Sequence, residues 1–277
     1  MKYIFLILSL SAGPASAIQI SGFKNDLFQH RRVIDSRSNG NFVIFDYNEA
    51  RDVNGQDEIP VDKALTERVT LLDTGFERST RISGVDTNVA GNIKGAKFAV
   101  IFIHGQNGNK NLGFNDWTFG GNFNRLKNIV IRSDGFYLSP TARLNKRGAK
   151  NIGTMIQSLK AKNSGLKVVL SCASAGGLIC SDLSRSEAHS SLIDGVIYLG
   201  SAVVPNLVSQ SQFYLKKTPI IIAHGSSDPI ADWSYFLQVF KTLDSDQHPV
   251  KLFIYKSGIH GTPIRMFDWA EGLNWIL

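Results

Sequence analysis

The 277-residue sequence contains only two cysteines, Cys172 and Cys180. So few exclude a disulfide framework, and a chain of this length buries enough apolar surface to do without one. The two flank an expected tight turn, where a bridge would have to meet strict geometry; two buried thiols are the expected state. Long apolar runs are equally scarce. One stands at the start: Met1 and Lys2 are followed by an almost unbroken apolar stretch over residues 3–10, and Ala15-Ser16-Ala17 has the small-x-small pattern of a signal-peptidase site. A membrane-spanning helix needs roughly 20 apolar residues, and this run is shorter. Residues 1–17 are therefore expected to be a cleaved signal peptide, with the mature chain starting near Ile18 in the periplasm or outside the cell. No Cys follows Ala17 to carry a lipid. Every later apolar run is interrupted by Asp, Lys, Arg or Gly, so no stable membrane insertion of the mature chain is expected.

Several binding signatures are missing too. No Gly-Lys-Ser/Thr loop and no dinucleotide glycine pattern occurs. The string Asp52-Val53-Asn54-Gly55-Gln56-Asp57 faintly suggests a calcium loop, but its Gly comes two positions early and Lys63 stands where the closing Glu belongs. It is expected to be a polar turn. Repeats, low-complexity tracts and linkers are absent, which leaves residues 18–277 as a single domain. The net charge of +7 becomes +6 without Lys2, because no acid precedes Ile18. This excess is spread along the chain, densest at Arg143, Lys146, Arg147 and Lys150, and fits a solvated helix face. No nucleic-acid partner is expected.

What the sequence does contain, from Phe98 onward, is an alternation of short apolar runs with amphipathic segments, the pattern of a parallel sheet flanked by helices. The runs cover residues 98–103, 128–131, 167–170, 195–199, 219–223 and 251–255. Rich in Val and Ile on both alternations, they suit strands buried on two faces. Helical spacing links Ile152, Ile156 and Leu159; Trp233, Phe236, Leu237, Phe240 and Leu243; and Ile264, Phe267, Ala270, Leu273 and Leu277. Before residue 98, stretches 42–45 and 69–72 are expected as strands, antiparallel at the N-terminal edge of the sheet.

Four strings carry chemistry. In Val168-Val169-Leu170-Ser171-Cys172-Ala173-Ser174-Ala175-Gly176-Gly177 a buried strand runs into a helix with small residues crowded around one serine. A tight strand-to-helix turn projects that hydroxyl above the sheet, provided the positions two before and two after it are small. Here they are Cys172 and Gly176, so Cys replaces the first Gly of the usual G-x-S-x-G. The second string, Ile101-Phe102-Ile103-His104-Gly105-Gln106-Asn107-Gly108, ends an earlier strand. The third, Ile220-Ile221-Ile222-Ala223-His224-Gly225-Ser226-Ser227-Asp228-Pro229-Ile230, places Asp228 just past a buried strand. Its competitor Asp232 is better placed to cap the following helix. The fourth, Lys256-Ser257-Gly258-Ile259-His260-Gly261, sets His260 after the last strand.

Together these strings resemble the α/β-hydrolase superfamily over residues 98–277, in the chain order Ser, Asp, His. The resemblance implies Ser174 as nucleophile, His260 as base and Asp228 as the acid that orients it. It also implies an oxyanion hole opened by the His104-Gly105 pair, with donors at the amides of Gln106 and Ala175, and a structural role for His104. The implied activity is hydrolysis of an ester or related acyl bond in a small-molecule substrate, for which the resemblance implies no metal and no organic cofactor. A peptidase of the same fold and a non-catalytic binding protein on this scaffold are the alternatives. Asn107, Asn111, Asn115 and Asn122, with Trp117, Phe119 and Phe123, make a polar, aromatic loop expected to line the mouth of the site. Between the strand ending at Leu199 and the next at Pro219 only nineteen residues remain. They suffice for one short helix, over 205–216, and for no large cap domain.

Overall fold

A computed structural model of the chain describes residues 18–23, 32–48, 52, 77–116, 118–201 and 211–277. The expected leader 1–17, strand 69–72, Trp117 and all of the polar stretch 52–57 but Asp52 lie outside these residues. The apolar runs become strands of one sheet: β1 (Val33–Arg37), β2 (Phe42–Asp46), β3 (Glu77–Ile82), β4 (Val85–Ala90), β5 (Phe98–Ile103), β6 (Gly135–Pro140), β7 (Lys167–Ala173), β8 (Gly195–Leu199), β9 (Ile220–Gly225) and β10 (Val250–Lys256). Their order across the sheet is β1-β2-β10-β9-β8-β7-β5-β6-β4-β3. From β2 to β6 all neighbours are parallel, whereas β1 on β2, β4 on β6 and β3 on β4 are antiparallel. The strand expected at 42–45 thus sits one place in from the edge, paired parallel to β10 on its inner side.

The helices are α1 (Asn122–Arg132), α2 (Lys146–Lys162), α3 (Gly177–Arg185), α4 (Glu187–Ser190), α5 (Gln212–Leu215), α6 (Trp233–Ser245), α7 (Thr262–Met266) and α8 (Trp269–Ile276). Two-residue alternation along each central strand divides its side chains between two cores. Ala99, Ile101 and Ile103 of β5 join a cluster with Ile152 and Ile156 of α2, Ile179 of α3 and Phe236 of α6. Phe98, Val100 and Phe102 join one with Leu126 and Ile129 of α1, Ile264 of α7 and Leu273 of α8. Full burial of each such large side chain stabilises the fold by about 1.5–3 kcal/mol.

Two expectations are corrected here. Residues 128–131 form part of α1, because Ile129 and Val130 continue the buried helical face of Phe123 and Leu126. The strand follows as β6, whose Gly135 and Pro140 disguise it as a turn. The stripe 264–277 is two helices: the first stops at Met266, where Phe267 turns extended, and Asp268 caps α8, its carboxylate accepting from the amides of Ala270 (3.0 Å) and Glu271 (3.2 Å). Asp232 is a cap as expected, accepting from Ser234 N at 2.7 Å at the start of α6. Within the expected helix 205–216, the described part is α5. Arg143, Lys146, Arg147 and Lys150 are all exposed, as a solvated face requires.

Candidate active site

The turn from β7 into α3 carries Ser174 at φ +49°, in the left-handed region where a non-glycine backbone costs on the order of 1–3 kcal/mol. Close approach keeps the turn in place. A Cβ added at Gly176 would meet the carbonyl oxygens of His104 at 2.6 Å and Ile103 at 2.7 Å, and one at Gly105 would meet Ser174 Cβ at 2.9 Å. Glycine at these two positions lets the ends of β5 and β7 touch beneath the serine. Cys172 obeys a different rule. It faces α3 on the side of the sheet that also holds Leu170, is fully buried, and is bonded to Cys180. This corrects the expectation of two thiols: one strand residue and one helix residue with Cα atoms 6.4 Å apart fall within bridging distance, a relation that sequence spacing alone does not disclose.

Three loops at the carboxyl ends of parallel strands bring Ser174, His260 and Asp228 together. His260 Nε2 lies 2.8 Å from Ser174 Oγ and Nδ1 lies 2.7 Å from Asp228 Oδ2. Ser174 Oγ–H donates to Nε2, and Nδ1–H donates to the carboxylate. The Asp228 side chain is fully buried and that of His260 one-third exposed. The other carboxylate oxygen, Oδ1, accepts from Ile230 N at 2.8 Å. Gly200, at φ +57°, supports His260 from behind; a Cβ there would fall 2.7 Å from the His260 carbonyl oxygen.

A fourth residue was not anticipated. His224, on β9 four residues before Asp228, is buried with Nε2 3.0 Å from the Ala231 carbonyl and 3.4 Å from Asp228 Oδ2. Nε2–H therefore donates to Ala231, and Nδ1 has no partner among the described residues. Desolvation holds the His224 pKa below that of an ordinary imidazole, against the pull of Asp228. The string His224-Gly225-Ser226-Ser227-Asp228 contained the only available signal, an i, i+4 pair across a turn.

His104 is structural, as expected, and its hydrogen bonds show how. Nε2 accepts from Ala142 N at 3.1 Å, so Nδ1 bears the proton and donates to the Gly105 carbonyl at 2.8 Å. Gly108 N donates to the same carbonyl at 3.1 Å. In a planar trans peptide the carbonyl and the next N–H point in opposite directions. Anchoring the Gly105 oxygen therefore aims the Gln106 N–H the other way, and that N–H makes no hydrogen bond among the described residues. Ala175, the other expected donor, immediately follows Ser174 in the turn.

The asparagine-rich loop serves mainly to hold itself. Asn111 Oδ1 accepts from Asn88, Asn115 Oδ1 from Thr118 N, and Asn122 Nδ2 donates to the carbonyls of Ile264 and Phe267. The fully buried Lys127 secures the loop through Asp116 at 2.8 Å. Asn122 and Phe123 are buried rather than lining a mouth, because α1 begins there and packs inward. Phe119 packs against Gly261, the residue after His260: its Cε1 would meet a Cβ there at 3.2 Å. Among the described residues no group of three or more His, Cys, Asp or Glu side chains is placed to hold a metal ion. None of the described helices is long and apolar enough to cross a membrane.

No protein-family model and no curated protein sequence matches the chain. Solved structures do. The protein TT1662 of Thermus thermophilus is 13% identical, with a TM-score of 0.51 over 72% of this chain and 97% of that one. A thermostable esterase is 15% identical, with a TM-score of 0.55 over 73% of this chain and 62% of that one. With its parallel central strands, its antiparallel pairs at both edges and helices on both faces, the chain has the α/β-hydrolase fold.

Proposed function

We propose that the protein is an exported serine hydrolase that cleaves a carboxylic ester or related acyl bond in a small-molecule substrate, in the manner of a carboxylesterase (EC 3.1.1). The observation that carries this reading is the unbroken chain Ser174 Oγ–His260–Asp228, with links of 2.8 and 2.7 Å. In the reaction, His260 Nε2 takes the Ser174 proton as Oγ attacks the acyl carbon, then gives it to the leaving alcohol. Buried Asp228 stabilises the imidazolium formed in between. The amides of Gln106 and Ala175 receive the charge that develops on the carbonyl oxygen. Water, activated by the same histidine, then hydrolyses the acyl-serine. Export rests on the positive start, the apolar stretch and the Ala15-Ser16-Ala17 site. A processed product starting near Ile18 in the cell envelope or medium is the outcome that supports it.

The test is labelling of the purified protein by a fluorophosphonate, together with turnover of p-nitrophenyl esters and of peptide amides. Labelling that vanishes in Ser174→Ala, with the variant still folded, supports the assignment. An active Ser174→Ala protein would falsify it, and cleavage of amides with no turnover of esters would make it a peptidase.

A further inference from the structure

The bond between Cys172 and Cys180 closes a short covalent ring across the β7–α3 turn, and Ser174 and Ala175 lie inside that ring. The two sides of the turn are secured differently. On the far side, Gly176 lets the helix start press against the carbonyls of Ile103 and His104. On the near side, where glycine is usual, stands a half-cystine. Neither the 3-10 turn at Ser174–Gly176 nor α3 is capped by a side chain at its start, so no hydrogen bond of that kind holds the helix onto the strand. Meanwhile Ser174 has to keep a left-handed backbone conformation, φ +49°, for Oγ to stay 2.8 Å from His260 Nε2. A bond that ties strand to helix around this residue limits the ways in which the turn can relax.

We propose that the Cys172–Cys180 disulfide is a positioning device for the nucleophile, locking the turn so that Ser174 Oγ faces His260 and the Ala175 amide faces the oxyanion. The proposal rests on the reading of Ser174 as nucleophile. Both half-cystines are fully buried in the core that α3 shares with β5 and β7, where small apolar side chains also fit. Loss of the bond therefore loosens the turn without emptying the core. Substrate binding survives and the chemical step slows. A chain folded without the bridge is a poor catalyst, so activity depends on oxidation of this one pair.

The experiment compares wild type with Cys172→Ala/Cys180→Ala on p-nitrophenyl acetate, well below the melting temperature of both. The expected result is a kcat lower by about 10- to 100-fold, since small misplacements of a reacting group cost that much, with KM little changed and fluorophosphonate labelling slowed in parallel. Wild-type protein treated with dithiothreitol is followed beside it, counting free thiols: activity should fall as two thiols appear and return on reoxidation. This arm also decides the matter if the double variant does not fold. Full kcat in the variant with only a lower Tm, or full activity with two thiols free, overturns the proposal and leaves the bridge a stabilising staple. Ser174→Ala separates the two readings. If it abolishes labelling while loss of the bridge changes nothing, only the positioning role falls; if it still labels, the assignment of the nucleophile itself falls.

Discussion

His224 and Asp228 share one buried corner, with the imidazole Nε2 3.4 Å from the carboxylate Oδ2. The same Nε2–H donates to Ala231, the residue after Ile230, whose amide binds the other carboxylate oxygen. His224 thus closes the loop around Asp228 and turns the positive end of an N–H dipole toward a charge that has no access to water. A buried carboxylate without such neighbours is costly to keep ionised.

Replacing His224 by Phe keeps a ring against Phe236, whose centroid lies 4.1 Å away, but removes the donor. We expect kcat to fall by about tenfold, the equivalent of one hydrogen bond of about 1.4 kcal/mol, with KM nearly unchanged. His224→Gln, which can place an N–H near the same point, should recover most of the loss. Equal kcat values for wild type and the Phe variant would remove His224 from the catalytic apparatus.

Stability should depend on pH through two buried histidines. Burial lowers the pKa of both His224 and His248, the latter also donating to the Thr218 carbonyl at 2.9 Å. Below about pH 6.5 the unfolded chain protonates these imidazoles while the folded chain resists, so the unfolded state holds more protons and stability falls with falling pH. The loss continues until the folded-state pKa values are reached. Calorimetry from pH 7 to pH 5 should show Tm decreasing, with a shallower slope in His224→Gln/His248→Gln. Identical slopes in the two proteins would contradict the assignment.

At Gly200 the positive φ and the neighbouring His260 carbonyl act together against any side chain. Gly200→Ala should lower stability by about 1–2 kcal/mol through the left-handed backbone alone. By displacing His260 it should also reduce kcat by about 100-fold. Denaturant titration reads the first effect and steady-state kinetics the second; a stability loss with wild-type kcat would show that His260 does not lean on this position.

The short connection between β8 and β9 bears on substrate choice. Nineteen residues from Gly200 to Thr218 leave no room for a large cap in this connection, and burial of each acyl methylene contributes about 0.8 kcal/mol only where an apolar wall exists. Soluble short-chain esters should be the better substrates, with no jump in rate as substrate passes its solubility limit. A preference for long chains or sharp interfacial activation would mean that another part of the chain builds a lid.

How much of this was legible beforehand follows from which interactions are local. Ser174, Asp228 and His260 stand out in the sequence because each lies in a turn rich in small residues just past a buried apolar run, and the roles proposed for them rest on chain order. Asp232 was recognisable as a cap because capping involves residues two or three apart. By contrast, β6 was hidden by its own Gly135 and Pro140, while the β-branched stretch 128–131 has helical neighbours whose burial depends on the opposite face of the sheet. The bridge between Cys172 and Cys180, the burial of Asn122 against α7 and the contact of His224 with Asp228 are settled by distances through space. The sequence by itself determined which groups could do chemistry and in what order they come, since those features are written in neighbouring residues. Only the tertiary structure decided which of them meet, because packing α1 and α3 against the sheet sets the ångström separations on which hydrogen bonds and a disulfide depend.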